Sequence, residues 1–258
     1  MKESRGSAFD ANAPAFERHR ALPPGVPEAI RAAIWSVAAF SEQALVLDIG
    51  AGTGRIGRAF VEAGDSYVGV DTSTAMLLEF GVDAPNCTLM HVDGKTLPFA
   101  DATFDAVLLM QVLSGAEDWR GVVAEAQRVV RPGGCIAVGH TAGPEGGVDS
   151  LLKQQLRRIL EEMHVPSGRP QEARRLAIEY LRSRAARHVH RIAASWAVEV
   201  AAENFLRRHR TGARFAELPH EMQEQALNKL REWAGVRFGS LDAAHPETRN
   251  FEVDIFEF

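Results

Sequence analysis

The sequence predicts an α/β fold built on a doubly wound, mostly parallel sheet, and three observations carry that expectation. Between residues 45 and 141, short apolar runs alternate with helix-patterned segments, as in parallel strands joined by crossover helices. Val46-Leu47-Asp48-Ile49 passes into Gly50-Ala51-Gly52-Thr53-Gly54-Arg55-Ile56-Gly57, a strand, a tight turn and a helix start in one stretch. Polar residues recur where strands end, at Asp71, Asp93, Gln111 and His140. Ligands of such sheets bind at the carboxyl ends of the strands, so these positions are expected to line one edge.

Taken in order, residues 1–14 show no periodicity, and Pro27 to Phe40 reads as a helix with Pro27 suited to its first turn. The first strand ends at the glycine turn. Ser66-Tyr67-Val68-Gly69-Val70-Asp71 is the second, closing on an acid that can accept both hydroxyls of a ribose. Thr72 and Ser73 offer caps for a helix through Ala75-Met76-Leu77-Leu78. Cys87 to Val92 is the third strand, followed by Asp93-Gly94, and Phe104 opens the fourth. An amphipathic helix from Asp118 ends at Arg131-Pro132-Gly133-Gly134, before the fifth strand, Cys135 to Gly139.

Regular structure then stops in the Gly139–Gly147 loop. Val148 to Met163 and Pro170 to Arg187 read as two amphipathic helices. Val189 to Val200 alternates as a sixth strand would, although a helix also fits its alanines. Glu203 to Arg210 and Pro219 to Ala234 are helical, and His245 to Asn250 reads as a turn. Phe251 to Phe258 alternates strictly and is expected to close the sheet edge as a last strand.

The glycine turn distinguishes two cofactor classes. A dinucleotide fingerprint, G-x-G-x-x-G, needs its third glycine where Arg55 stands. Asp48-x-Gly50-x-Gly52-x-Gly54 instead resembles the first motif of class I S-adenosylmethionine-dependent methyltransferases. Asp71, Asp93, the run Leu97-Pro98-Phe99 to Phe104-Asp105, and Arg131-Pro132-Gly133-Gly134 follow in the same family's order. Over residues 45–141 the chain resembles the small-molecule, methyltransferase type 11-like branch.

That resemblance implies a Rossmann-like, seven-stranded sheet with a helical lid insert after the fifth strand. Residues 1–44 would be an arm and helix covering the cofactor site, 45–142 the cofactor-binding core, 143–188 the lid, and 189–258 the completion of the core. It implies S-adenosylmethionine as cofactor, with Asp71 on the ribose, Asp93 on the adenine amino group, and the turn Gly50, Ala51, Gly52 and Gly54 beside the methionine part. Asp48, Thr72, Met76, Gly94, Met110 and Gln111 complete the implied site. Phe16 and Arg20 resemble a segment in which an aromatic closes the pocket and an arginine reaches the cofactor carboxylate, a pairing that suits a planar guanidinium. Here Phe and Glu17 replace the family's Tyr and Asp.

Composition narrows the remaining classes. The chain has 258 residues, 46% hydrophobic and 24% charged, enough for a large core. No apolar run approaches the ~20 residues of a membrane span, and the N-terminus lacks a signal-peptide core, so a cytoplasmic protein with no membrane association is expected. Cys87 and Cys135 start strands, as buried thiols would, and no Cys/His spacing suggests a metal. The net charge of −5 hides an asymmetry: residues 148–245 hold 17 Lys and Arg against 12 Asp and Glu. Their interleaving with Leu, Ala and Glu reads mainly as solvated helix faces.

Methyl transfer from a sulfonium demands alignment and water exclusion more than a fixed catalytic motif. His140, after the fifth strand, is the candidate base, with His91 second, while Gln111 and Trp119 are candidates to line the pocket. No nucleic-acid substrate is expected: Met110-Gln111-Val112-Leu113 stands where base-amino methyltransferases carry an Asn/Asp-Pro-Pro-Tyr/Phe run. The expected partner is a small-molecule methyl acceptor, with its reacting atom and the oligomeric state left open. Two alternatives stand beside this: a non-catalytic S-adenosylmethionine-binding protein, and an NAD-dependent oxidoreductase on a related fold.

Overall fold

The computed structural model of the protein describes residues 21–37, 44–84, 87–114, 116, 118–165, 170–209, 215 and 218–258. Its elements run α1 (Val26–Trp35), β1 (Leu45–Ile49), α2 (Gly57–Glu62), β2 (Ser66–Asp71), α3 (Thr74–Asp83), β3 (Thr88–His91), β4 (Phe104–Met110) and α4 (Trp119–Val129). There follow β5 (Val130–Ala142), α5 (Val148–Glu162), α6 (Pro170–Arg182), β6 (Arg187–Val200), α7 (Ala202–His209), α8 (His220–Phe238) and β7 (His245–Glu257). The strands form one seven-stranded sheet in the order β3-β2-β1-β4-β5-β7-β6.

β1 to β5 pair in parallel, with the crossover at β1 that places a ligand site between β1 and β4. β7 runs the other way. Along β5, Gly134 meets Phe258 while His140 meets Glu252, and along β6, Arg187 meets Glu257 while His188 meets Asp254. The ambiguous stretch before Val200 is a strand, and the closing strand is not an edge: β7 lies between β5 and β6.

Two stretches expected outside the strands, a helix end and a turn, are strand instead. Arg131-Pro132-Gly133-Gly134 belongs to β5, because Gly133 N–H donates to Phe258 O at 2.7 Å and Phe258 N–H to Gly134 O at 3.2 Å. Gly133 takes φ +76 to make this possible, a conformation its missing Cβ permits. His245 to Asn250 is the first half of β7. Its polar side chains hold other elements: Glu247 accepts the Val148 N–H at the start of α5 at 2.6 Å, and Arg249 donates to Asp149 at 2.8 Å.

The chain divides into two compact units, each with its own core. The first comprises the described residues of 21–141, 170–194 and 251–258, and the second those of 142–169 and 195–250. In the first, Leu47, Ile49, Val107, Leu109, Ile136 and Val138 cover one sheet face and pack with Val122, Val123 and Ala126 of α4 and Ala177 and Leu181 of α6. On the opposite face a chain of rings, Trp35, Phe60, Tyr67 and Phe80, links α1, α2, β2 and α3 at centroid spacings of 5.5, 6.4 and 5.7 Å. Arg31 clamps this face to the loop before β2 with two bonds to Asp65, at 2.6 and 2.8 Å. In the second unit, Leu152, Leu156 and Ile159 of α5 pack with Phe205, Leu206, Leu227 and Leu230 of α7 and α8. Among the described residues no helix is long and apolar enough to cross a membrane.

Candidate functional site

The site begins where β1 stops. Gly50 and Gly54 take φ +80 and +81, which an L side chain rarely adopts. Space forbids a side chain as well: a Cβ on Gly50 would meet Val112, and one on Gly54 would enter the Phe80 ring. Gly52 is different, since its Cβ would touch only Met76 Sδ at 3.6 Å and Gly50 O at 3.9 Å. The turn therefore has two tightly packed shoulders and an open middle.

Four of its backbone donors are spent within the protein. Gly50 and Ala51 N–H both donate to Val70 O, at 2.8 and 3.0 Å, and Gly54 N–H donates to Ala51 O at 3.1 Å. Gly52 N–H donates to Asp71 Oδ2 at 2.9 Å. A turn that seats a pyrophosphate leaves such donors free; in this one, four are occupied.

Asp71 ends β2 beside the turn. Its Oδ1 accepts the Ser73 N–H at 2.8 Å, so each carboxylate oxygen is anchored by a backbone donor. A carboxylate has about four lone-pair sites, and these two backbone donors take one on each oxygen. Ser73, fully buried, caps α3 by accepting the Met76 N–H at 3.3 Å, as a serine at an N-cap does. Val92 N–H donates to Asp71 O at 3.0 Å, which ties the end of β3 to the end of β2 and brings Asp93 into the same row. Asp93 is exposed; its Oδ1 accepts the Lys95 N–H at 3.0 Å, and its Oδ2 lies 3.3 Å from Lys95 Nζ. Gly94 is packed so closely on Ile49 that a Cβ would overlap it.

At the end of β4, Met110 is buried, and Gln111 takes φ +60, unusual outside glycine. Its N–H donates to Gly139 O at 2.8 Å, and its side chain lies between Arg55 and Thr141. Neither of those partners is evident in the sequence as a site residue. Arg55 stands out there only as the residue that breaks the dinucleotide fingerprint, and Thr141 only as a loop residue after a strand.

Asp48 lies inside rather than at the surface. It is 2% exposed, and Tyr67 donates its hydroxyl proton to Oδ2 at 2.7 Å, while Oδ1 is buried with no hydrogen-bond partner among the described residues. Burial pushes its carboxyl up to about 7, and the nearby Asp71 charge adds to the rise against the Tyr67 bond. The side chain thus holds the turn from beneath. Trp119 is likewise a core residue, edge-on to Tyr180 at 6.1 Å.

His140 is largely enclosed. Its Nε2 lies 3.5 Å from Glu252 Oε2, and its Nδ1 is buried without a hydrogen-bond partner among the described residues. Burial first, and the Arg174 charge second, lower its pKa to about 4, so the ring is neutral at pH 7. His91 is exposed, with Nε2 3.0 Å from Thr72 O. Cys135, buried in β5, is pushed up to about 12 by burial and is an inert thiol. Phe16 and Arg20 lie outside the described residues. Among the described residues no His, Cys, Asp and Glu cluster could hold a metal.

Residues 47–138 match the family model described as a methyltransferase domain. A demethylmenaquinone methyltransferase from Corynebacterium urealyticum is 38% identical over 117 residues, 45% of this chain and 50% of that protein. The chain thus spans about half the length of the relatives it matches. Among solved structures, the YcgJ protein of Bacillus subtilis superposes with a TM-score of 0.56 at 20% identity, over 89% of this chain and 98% of that one. A Haemonchus contortus phosphoethanolamine N-methyltransferase, solved with S-adenosylhomocysteine, gives 0.50 at 16% identity over 96% and 58%. These two likenesses bear on the fold alone.

Proposed function

Residues 47–138 belong to the class I S-adenosylmethionine-dependent methyltransferase family, and on that premise we propose that the protein transfers a methyl group from S-adenosylmethionine to a small-molecule acceptor. The observation that carries this reading is the pairing of Asp71 with Gly52. A carboxylate held by two backbone donors faces a turn in which the N–H groups of Gly50, Ala51, Gly52 and Gly54 are already used. Such a pair suits a ribose diol and an uncharged chain packed on the open middle of the turn, and it suits a pyrophosphate poorly.

In this reading Asp71 binds the ribose and Asp93 the adenine amino group. Gly50, Ala51, Gly52 and Gly54 flank the methionine part, with Thr72, Met76, Gly94, Met110 and Gln111 around them. Asp48 acts from below, by fixing Tyr67 and the turn. When bound, the sulfonium supplies the reactive carbon. The protein's share is to orient the acceptor, exclude water and, where needed, take a proton. His140 is neutral and thus able to accept one, provided the ring turns Nδ1 out of its enclosure. The named activity of the relatives makes an aromatic acceptor the first class to examine.

Calorimetry with S-adenosylmethionine, S-adenosylhomocysteine and NAD tests the proposal. Binding of the first two and not of NAD is expected; binding of NAD alone would overturn it.

A further inference from the structure

At the carboxyl ends of β4 and β5, three polar side chains form a directed chain of hydrogen bonds. Arg55 Nη2 donates to Gln111 Oε1 across a long 3.4 Å, and Gln111 Nε2 donates to Thr141 Oγ1 at 3.0 Å. The direction is set by Arg55: a guanidinium has only donors, so it faces the amide oxygen and turns the amide N–H groups toward Thr141. Thr141 Oγ1 is therefore an acceptor within the chain, and its own proton has no acceptor among the described residues.

The backbone holds this arrangement in place. Met110 and Gly139 are in register on adjacent parallel strands, so Gln111 and Thr141 emerge side by side at the ligand edge. Gln111 keeps its left-handed φ of +60 while bonded to Gly139 O, a strained conformation that persists only where the surroundings over-determine it and that clusters at binding sites. A chain of donors running one way polarises its last O–H, which strengthens the bond that hydroxyl gives.

We infer that the Thr141 hydroxyl is a specificity-determining donor to a single anionic oxygen, a phenolate or enolate, on the methyl acceptor. One hydroxyl serves one oxygen; a carboxylate is better matched by paired N–H donors. The inference rests on the methyltransferase reading of the same edge, because Arg55 follows directly from the glycine turn that would seat the cofactor.

The test uses the full chain saturated with S-adenosylhomocysteine and 4-nitrophenol as probe, whose phenolate absorption reports both binding and ionisation. The bound probe is expected to ionise at lower pH than free probe, with its phenolate band displaced. Thr141→Val should weaken phenolate binding roughly tenfold or more and restore the free-probe titration, whereas Thr141→Ser should behave as wild type. Benzoate, as competitor, should bind weakly and without dependence on Thr141. Wild-type-like behaviour of Thr141→Val, no probe binding to the saturated protein, or Thr141-dependent binding of benzoate instead would each overturn the inference. So would loss of S-adenosylhomocysteine binding in both Thr141→Val and Thr141→Ala, since the residue would then serve the cofactor or the fold. Failure of the wild-type protein to bind S-adenosylhomocysteine is a different result and overturns the methyltransferase reading beneath it.

Discussion

Tyr67 and Asp48 face each other across 2.7 Å at the boundary of β2 and β1, both buried, with the phenol as donor and the carboxyl as acceptor. Gly57 makes room for the ring, since a Cβ there would collide with the Tyr67 hydroxyl. The pair fastens β1, which leads into the turn, to β2 beside it, so the turn's shape depends on a buried acid.

That acid makes stability depend on pH in an uncommon direction. The Asp48 carboxyl titrates near 3.9 in an unfolded chain and at about 7 in the folded protein. Between these values the native state holds the proton and the unfolded state does not, so rising pH favours unfolding. The contribution of Asp48 should be fully present below about pH 4 and decline through pH 7, by up to about 4 kcal/mol. Asp48→Asn, which keeps an acceptor for Tyr67, should flatten that part of the profile and raise the melting temperature at pH 8. Urea titrations of both proteins from pH 5 to 8 check this; parallel profiles would refute it.

The glycines of the turn should separate fold from binding. Gly54→Ala forces a methyl group into the Phe80 ring at a positive φ and should destabilise the protein by roughly 2 kcal/mol or more. Gly52→Ala meets Met76 and Gly50 O only at ordinary contact distance, so its stability loss should come from its φ of +56 alone, about 1 kcal/mol, while cofactor affinity falls. Denaturation midpoints and calorimetry with S-adenosylhomocysteine, run on both variants, distinguish the two roles.

Removing the Asp71 carboxylate should weaken S-adenosylhomocysteine binding by roughly tenfold to a hundredfold, because hydrogen bonds to a charged acceptor are lost. Asp71→Asn should lose less than Asp71→Ala, as one oxygen can still accept from Gly52 or Ser73. Equal affinity of wild type and Asp71→Ala, measured calorimetrically, would remove Asp71 from the site.

His140 should stay neutral throughout the physiological range. With its pKa lowered to about 4, its ring-proton NMR signals should show no titration between pH 5.5 and 8. Arg174→Met removes a positive charge that opposes protonation and should move the midpoint upward. A wild-type midpoint near 6.5 would mean that the ring is far less enclosed than its burial indicates.

What the sequence conveys well is whatever an α/β sheet spaces along the chain. A strand that ends on Asp71 after a three-glycine turn can hardly point anywhere but the ligand edge, and Ser73 caps α3 as its type suggests. Orientation about a strand is harder to read. Asp48 stands two residues before Gly50, yet it turns inward to Tyr67, and nothing local distinguishes that from turning outward. Contacts between distant residues are harder still: Thr141 matters through Gln111, 30 positions away, and Arg55 through Gln111, 56 away. The polar start of β7 resembles a turn because its bonds to Val148 and Asp149 are invisible until α5 is in place.

The position of β7 carries a consequence for how the molecule is made. The strand that follows all others of its sheet along the chain, residues 245–257, is an interior one, paired on both sides. Until it arrives, β5 presents an unpaired apolar flank, the kind of edge on which other chains add themselves. Its partners lie more than a hundred positions away on the β5 side, so closure is slow by the usual dependence of folding rate on loop length. The nascent protein therefore passes through a stage with nearly all its ligand edge assembled and its sheet still open, and it is at that stage, rather than in the finished fold, that chaperones would have most to do.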